Sequence, residues 1–191
     1  MYLNVLSYYL LIIIYIAGVG SILLIIYTIS ACSLKSQYRQ TIKASTDEKY
    51  DEVIKSGEYL LKAFQKSHMQ LFIRLNYYRI ESLHLALAIS YFVKSENDRF
   101  LEHINALKQH ADDKEFWLAL FWLREGDENT AKLHYRNLDG HSEETETYRT
   151  YFESLRAYRQ GDCETAKEKM QSIYPNLHYP LLKSYADEIL N

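Results

Sequence analysis

From Tyr8 to Thr28 the chain reads YYLLIIIYIAGVGSILLIIYT, with nothing more polar than Ser21 and the terminal Thr28. A hydrocarbon layer about 30 Å thick needs about 20 apolar residues in a helix, and this run supplies them. A core helix of this length in a soluble domain normally shows a polar stripe, and none is present here. Residues 1 to 34 carry no charged side chain, and all 25 acidic residues lie beyond them. Tyr2, Tyr8, Tyr9 and Tyr27 sit toward the ends of the run, where amphipathic rings suit the headgroup layer. The expectation is a helix that meets the lipid bilayer through residues 8–28. It divides the chain into a transmembrane anchor, 1–34, and a domain, 35–191.

The flanks set an orientation. Lys35, Arg39 and Lys43 follow the apolar run with no acid among them, and nothing basic precedes it. The positive-inside rule then leaves the C-terminal domain in the cytoplasm, on a single-pass cell-membrane protein. A rival lies in Ile29-Ser30-Ala31-Cys32, which resembles a bacterial lipobox and would make the chain a lipoprotein anchored at Cys32. Such signals also carry a basic n-region and a short h-region, and this chain has neither. Ala17, Gly18, Gly20 and Ser21 form a small-residue cluster that would let another helix approach closely.

Beyond the anchor the apolar spacing is helical throughout, with no strand-like alternation. Tyr50, Val53, Ile54, Gly57, Leu60, Leu61 and Phe64 recur at steps of three and four. Further helices are expected from about Met69 to Val93 and from Arg99 to Lys108. Breaks at Ser95–Asp98, Gly126-Asp127, Gly140 and Gly161-Asp162 are short enough for turns between antiparallel helices. Two stretches are copies. FWLALFWLREGDENTAKLHYRNL begins at Phe116, and YFESLRAYRQGDCETAKEKMQSI begins at Tyr151. The register aligns Arg124 with Arg159, Gly126-Asp127 with Gly161-Asp162, and Thr130-Ala131-Lys132 with Thr165-Ala166-Lys167. Glycine can end a helix in the left-handed region, and aspartate can then cap the next one.

This pattern resembles the tetratricopeptide (TPR) repeat, a helix-turn-helix unit of about 34 residues. Leu118, Ala119, Trp122, Gly126, Ala131 and Tyr135 meet its small-residue and aromatic positions in one unit. Ser154, Ala157, Gly161, Ala166 and Met170 meet them in the next, where Glu153 departs from the usual aliphatic residue. An earlier unit is similar through Leu87, Ala88, Tyr91, Phe100, Ile104 and Leu107, with Phe100 in place of the packing alanine and Ser95 in place of the glycine. Tyr50-Asp51-Glu52-Val53 resembles the opening of a second helix whose partner would lie in residues 33 to 45. The resemblance implies an all-α fold, a transmembrane helix followed by a short TPR-like superhelix (an α-solenoid). The last apolar stretch, Tyr179 to Ile189, would cap it. Trp122 and Ala131 would be buried at the closest helix contacts.

Reaction chemistry is not legible. The chain has no HExxH run, paired-cysteine spacing, phosphate loop or GxSxG elbow. His103 and His110 lack a third ligand at a recognisable spacing, and His84 falls where the pattern wants a packing side chain. The expectation is no enzyme, no cofactor, no metal site and no small-molecule substrate. A formal charge of −3 gives no basic footprint for nucleic acid. What remains is a protein partner, an amphipathic helix or a membrane protein. The resemblance puts certain first-helix side chains on the family's concave surface: Leu85, Ile89 and Phe92, then Phe116, Leu120 and Leu123, then Tyr151, Leu155 and Tyr158. Arg124 and Arg159 stand beside them, to pair with acids at a bound helix's rim. The implied function is a membrane-anchored scaffold or assembly factor at the cytoplasmic membrane face. The alternative is a regulatory or accessory subunit of a membrane transporter or enzyme, contacted through the transmembrane helix.

Overall fold

A computed structural model describes residues 2–65 and 77–191, with the helical backbone alone at 2–16, 23, 24 and 77–79. The expected residues 69–76 therefore lie outside the described chain. Among the described residues every regular element is helical. They are α1 (Tyr2–Thr46), α2 (Tyr50–Phe64), α3 (Tyr77–Val93), α4 (Asn97–Asn105), α5 (Ala111–Arg124), α6 (Glu128–Arg136), α7 (Glu143–Arg159), α8 (Cys163–Ile173), a 3-10 turn (Tyr174–Asn176) and α9 (Pro180–Leu190). The chain divides into two compact units, Met1–Gln40 and Thr41–Asn191.

The first unit is the apolar part of α1. None of its described side chains from Ala17 to Ser33 is buried, and Ile22, Ile25, Ile26 and Ile29 are each more than half exposed. A core helix would hide these groups. By length and composition this helix is long and apolar enough to cross a membrane. Ile29-Ser30-Ala31-Cys32 lies inside it, with Cys32 exposed.

The second unit is a series of helix pairs. Helix α3 packs on α4, α5 on α6 and α7 on α8, while α2 lies on α3, α4 on α5, α5 on α7, and α9 on α8. Four successive turns share one geometry. In each, a residue at positive φ follows the helix, and the next backbone N–H reaches back five residues to a carbonyl of the last turn. The donors and acceptors are Lys49 to Ala44 (2.9 Å), Glu96 to Tyr91 (3.0 Å), Asp127 to Trp122 (3.0 Å) and Asp162 to Ala157 (3.0 Å). The residues at positive φ are Glu48, Ser95, Gly126 and Gly161. This arrangement satisfies the orphan carbonyls of a helix end. Each donor also starts the following helix as its N-cap. Only Asp127 and Asp162 cap with a side chain, accepting from Thr130 N and Thr165 N at 3.0 and 3.1 Å.

The position four residues after each cap is inward in all four pairs: Val53, Phe100, Ala131 and Ala166 are fully buried. Ala131 thus sits as the repeat pattern implies. Phe100 fills the place of the small residue by stacking on Phe121, with centroids 4.8 Å apart. The expectation for Trp122 is corrected. It is only half-buried, against Phe121, and the indole inside the core is Trp117, at 0% exposure. Trp117 lies five residues earlier, on the face of α5 turned toward Phe92, Phe116 and Tyr179.

The C-terminal helix is fastened by polar groups. Asp113 Oδ1 accepts from the hydroxyls of Tyr148 (2.6 Å) and Tyr179 (3.1 Å), joining α5, α7 and the N-cap of α9. Burial and this carboxylate hold both phenols far above the usual tyrosine range. Beside the knot, a methyl group at Gly140 would collide with Asp112 Oδ2 and Thr145 Oγ1, which is why the loop before α7 needs glycine there.

Candidate functional site

The side chains singled out on the first helices divide by depth. Leu85, Ile89, Phe92, Phe116, Leu120, Leu123 and Tyr151 are buried, Leu155 and Arg124 are half-buried, and Tyr158 and Arg159 are exposed. Phe116 is closed off entirely, stacked on Tyr148 at 4.1 Å. Seven of the eleven meet around one apolar pocket of about 210 Å³: Phe92, Leu120, Leu123, Arg124, Tyr151, Leu155 and Arg159. Leu85, Ile89, Phe116 and Tyr158 do not line it. Tyr185 of α9 completes the wall, and the sequence marks it only as part of the capping stripe. The same C-terminal segment partly covers the floor, since the Tyr151 hydroxyl donates to the Leu182 carbonyl at 3.1 Å. A second opening of about 410 Å³ shares Leu123 and Arg159 with the first and extends past Gly126, Glu128, Arg156 and Gln160.

The two matched arginines have a further task that their register alone does not reveal. Arg124 donates from Nη1 to the Phe92 carbonyl (2.5 Å), from Nη2 to Asn97 Oδ1 (2.9 Å) and from Nε to Glu125 (3.3 Å). Its guanidinium also lies over the Phe92 ring, 4.1 Å from the centroid. Arg159 repeats the main bond one pair later, donating from Nη1 to the Leu123 carbonyl. Each arginine therefore ties its own helix to the final turn of the preceding first helix, where a cation also favours the helix dipole. Arg124 is half-buried and spends three of its five N–H groups inside the domain, whereas exposed Arg159 makes one such bond and is the freer cation at the rim.

Another cleft, of about 810 Å³, lies among α2, α3 and α4; apolar Leu61, Phe64 and Ile80 share its wall with Glu58, Lys62, His84, Arg99 and His103. Glu58 Oε1 accepts from the Tyr91 hydroxyl (3.0 Å) and Arg99 Nη2 (2.6 Å) and stands 3.2 Å from His103 Nε2. His103 Nδ1 is in turn 2.9 Å from His84 Nδ1. Burial alone would raise the Glu58 carboxyl, but the bonds from Tyr91 and His103 and the Arg99 charge hold it below its usual range. Burial pushes both histidines down; Glu58 opposes this at His103. His84 thus does more than pack, and Glu58 is a residue that no sequence pattern selects. Its partners lie 33, 41 and 45 residues away. Among the described residues no group of three or more His, Cys, Asp or Glu is placed to hold a metal ion.

No protein-family model matches the chain, and neither a curated protein nor a solved structure aligns with it at a significant level.

Proposed function

We propose that this chain is a membrane-anchored interaction protein, a scaffold or assembly factor whose TPR-like helix pairs receive a partner protein at the cytoplasmic face. The observation that carries this reading is the apolar pocket between successive first helices, walled by Phe92, Leu120, Leu123, Leu155 and Tyr185 with Arg159 at its rim. Its shape suits an apolar side chain from an amphipathic helix, with an acidic neighbour on that helix for Arg159. The four recurring turns support a stack of TPR-like units, in which docking positions a partner and raises its effective concentration. The exposed isoleucines of α1 support an anchor, because lipid would cover what water does not favour. The exposed Lys35, Arg39 and Lys43 favour a cytoplasmic domain. In intact cells, a cysteine engineered next to Asn191 should therefore resist a membrane-impermeant thiol reagent; ready labelling would reverse the orientation.

The pocket is tested in the full chain with a photo-crosslinking phenylalanine at position 158, beside the opening. It should capture a discrete membrane-fraction protein that the same probe at exposed Tyr59 does not. Leu155→Glu should abolish that product while circular dichroism shows the helices intact. A folded Leu155→Glu chain that keeps every partner would end the groove reading.

One observation favours the accessory-subunit alternative. A Cβ added at Gly18 or Gly20 would meet nothing within 4 Å, so this stretch of α1 leaves room for another helix. Bulky aliphatics at Ala17 to Ser21 should then release the partner, and Leu155→Glu should not.

A further inference from the structure

We propose that Glu58, His103 and His84 form an acid-sensing latch, which accepts one proton without rearrangement and releases the α3–α4 pair when a second one arrives.

The hydrogen bonds fix the starting state. A carboxylate can only accept, so His103 Nε2 carries the proton that points to Glu58 Oε1, 3.2 Å away. A neutral His103 therefore has a bare Nδ1, and this nitrogen lies 2.9 Å from His84 Nδ1. The short contact requires His84 to donate through Nδ1–H, which leaves His84 Nε2 as an unprotonated nitrogen. Imidazole more usually carries its proton on Nε2, so the latch imposes the less common tautomer on His84.

Protonation then has an order. The first proton goes to His84 Nε2, and all the bonds of the chain survive, since Nδ1–H still donates to His103. A second proton must enter at His103 Nδ1, where it would face His84 Nδ1–H across 2.9 Å. Two donors cannot share that gap, so the rings must part. His84 belongs to α3 and His103 to α4, so the separation falls between those two helices, while His103, still donating from Nε2, stays bonded to Glu58 of α2. The tilted ring contact between the two histidines, 5.2 Å between centroids, is lost with it.

The charged and titratable groups around the pair come from each of those helices. They are Glu58 and Lys62 on α2, Glu81 and Tyr91 on α3, and Arg99 and Glu102 on α4. Glu58, Glu81 and Glu102 favour the first proton at His84. Arg99 opposes one at His103 and is bonded to both Glu58 and Glu102, at 2.6 and 2.5 Å. The sign of the linkage follows. Both histidines are held below their unfolded value of about 6.5, so the unfolded chain binds more protons, and stability is lost as pH falls below about 6.5. The lowered Glu58 carboxyl acts in a separate window, below its own unfolded value near 4.

His110 and His134 face carboxylates rather than another imidazole, 3.2 Å from Asp113 and 2.8 Å from Glu115. The discriminating variant is His84→Asn. The asparagine amide can donate to a neutral His103, or turn its carbonyl toward a protonated one, so the latch tolerates the second proton. In detergent micelles the melting temperature of the full wild-type chain should fall by roughly 3–6 °C between pH 7.5 and 5.5. The fall for His84→Asn should be less than half as large. Equal losses in the two proteins would overturn the proposal. Should the variant fail to fold, ring nitrogen chemical shifts of the wild-type chain at pH 7.5 decide alone. Nδ1–H on His84 together with Nε2–H on His103 supports the latch, and Nε2–H on both overturns it.

Discussion

Trp117→Ala is expected to cost about 3–5 kcal/mol, a large share of the stability of a domain this size. The indole is fully buried and makes edge contacts with Phe92, Phe116 and Tyr179, at centroid distances of 5.5, 5.7 and 5.6 Å. Its removal leaves a cavity bordered by α3, α5 and the cap of α9, and helices on three sides cannot all collapse into it. Trp117→Phe should be far milder, because Trp117 Nε1 has no hydrogen-bond partner among the described residues and losing an unpaired donor offsets part of the lost volume. Trp122→Ala, at the half-buried site, should cost only about 1 kcal/mol. Urea melts of the full chain in micelles, followed by circular dichroism, compare the three. A larger loss for Trp122→Ala than for Trp117→Ala would sink the packing described here.

Asp113→Ala should cost about 2–4 kcal/mol, through the partners it abandons rather than through lost volume. The Tyr148 hydroxyl also reaches Glu144 at 3.1 Å, whereas the Tyr179 hydroxyl loses its one carboxylate acceptor and keeps only the Tyr148 hydroxyl beside it. A buried donor left without a partner costs about 1–3 kcal/mol. Asp113→Asn keeps an oxygen for the two phenols and should lose less than half as much. The loss should also be local. Limited proteolysis of Asp113→Ala should cut within residues 179–191 before it cuts elsewhere, because the Tyr179 hydroxyl loses its carboxylate where α9 begins, while buried Leu177 and the Asn176 bond to Glu143 (3.0 Å) still hold the residues before it. An unchanged cleavage pattern would show that apolar packing of Leu181, Leu182, Ala186 and Ile189 holds α9 without the carboxylate.

The parts of this architecture that could be read from sequence are those where residue type and geometry coincide. Gly126-Asp127 and Gly161-Asp162 announce a helix end and a cap, and both are found. The break at Ser95–Asp98 and the helix start at Tyr50 are legible too, but the left-handed turn that Ser95-Glu96 and Glu48-Lys49 share with the other two is not, because neither pair carries the glycine or the side-chain cap that marks it at 126–127 and 161–162. The paired positions Arg124 and Arg159 were visible, but their acceptors, the carbonyls of Phe92 and Leu123, have no side-chain signature. The repeat pattern singled out Trp122 of α5 as the buried indole, whereas the helix, buried on several sides, turns Trp117 inward and leaves Trp122 half-exposed. Seven of the residues marked for the groove do line one pocket. The contribution of Tyr185 depends on how α9 folds back, which no local pattern encodes. The histidine–glutamate chain was invisible for the same reason, since it links three helices through single contacts.

The unequal turns give the array a direction. A non-glycine residue in the left-handed region carries a cost of about 1–2 kcal/mol, and Glu48 and Ser95 bear it while Gly126 and Gly161 do not. The two strained joints are consecutive, as are the two relaxed ones, and only the relaxed joints have side-chain caps. In a row of units held mainly by their neighbours, opening starts where the joints are weakest. Residues 41–65 and 77–105 should therefore exchange their amide hydrogens sooner than 111–173, and equal protection in the two groups would contradict this order. The half of the array that follows α1 directly in sequence is thus the half most readily loosened, and the apolar pocket, with Phe92 on that half and its other walls on the firmer one, stands at the boundary between them.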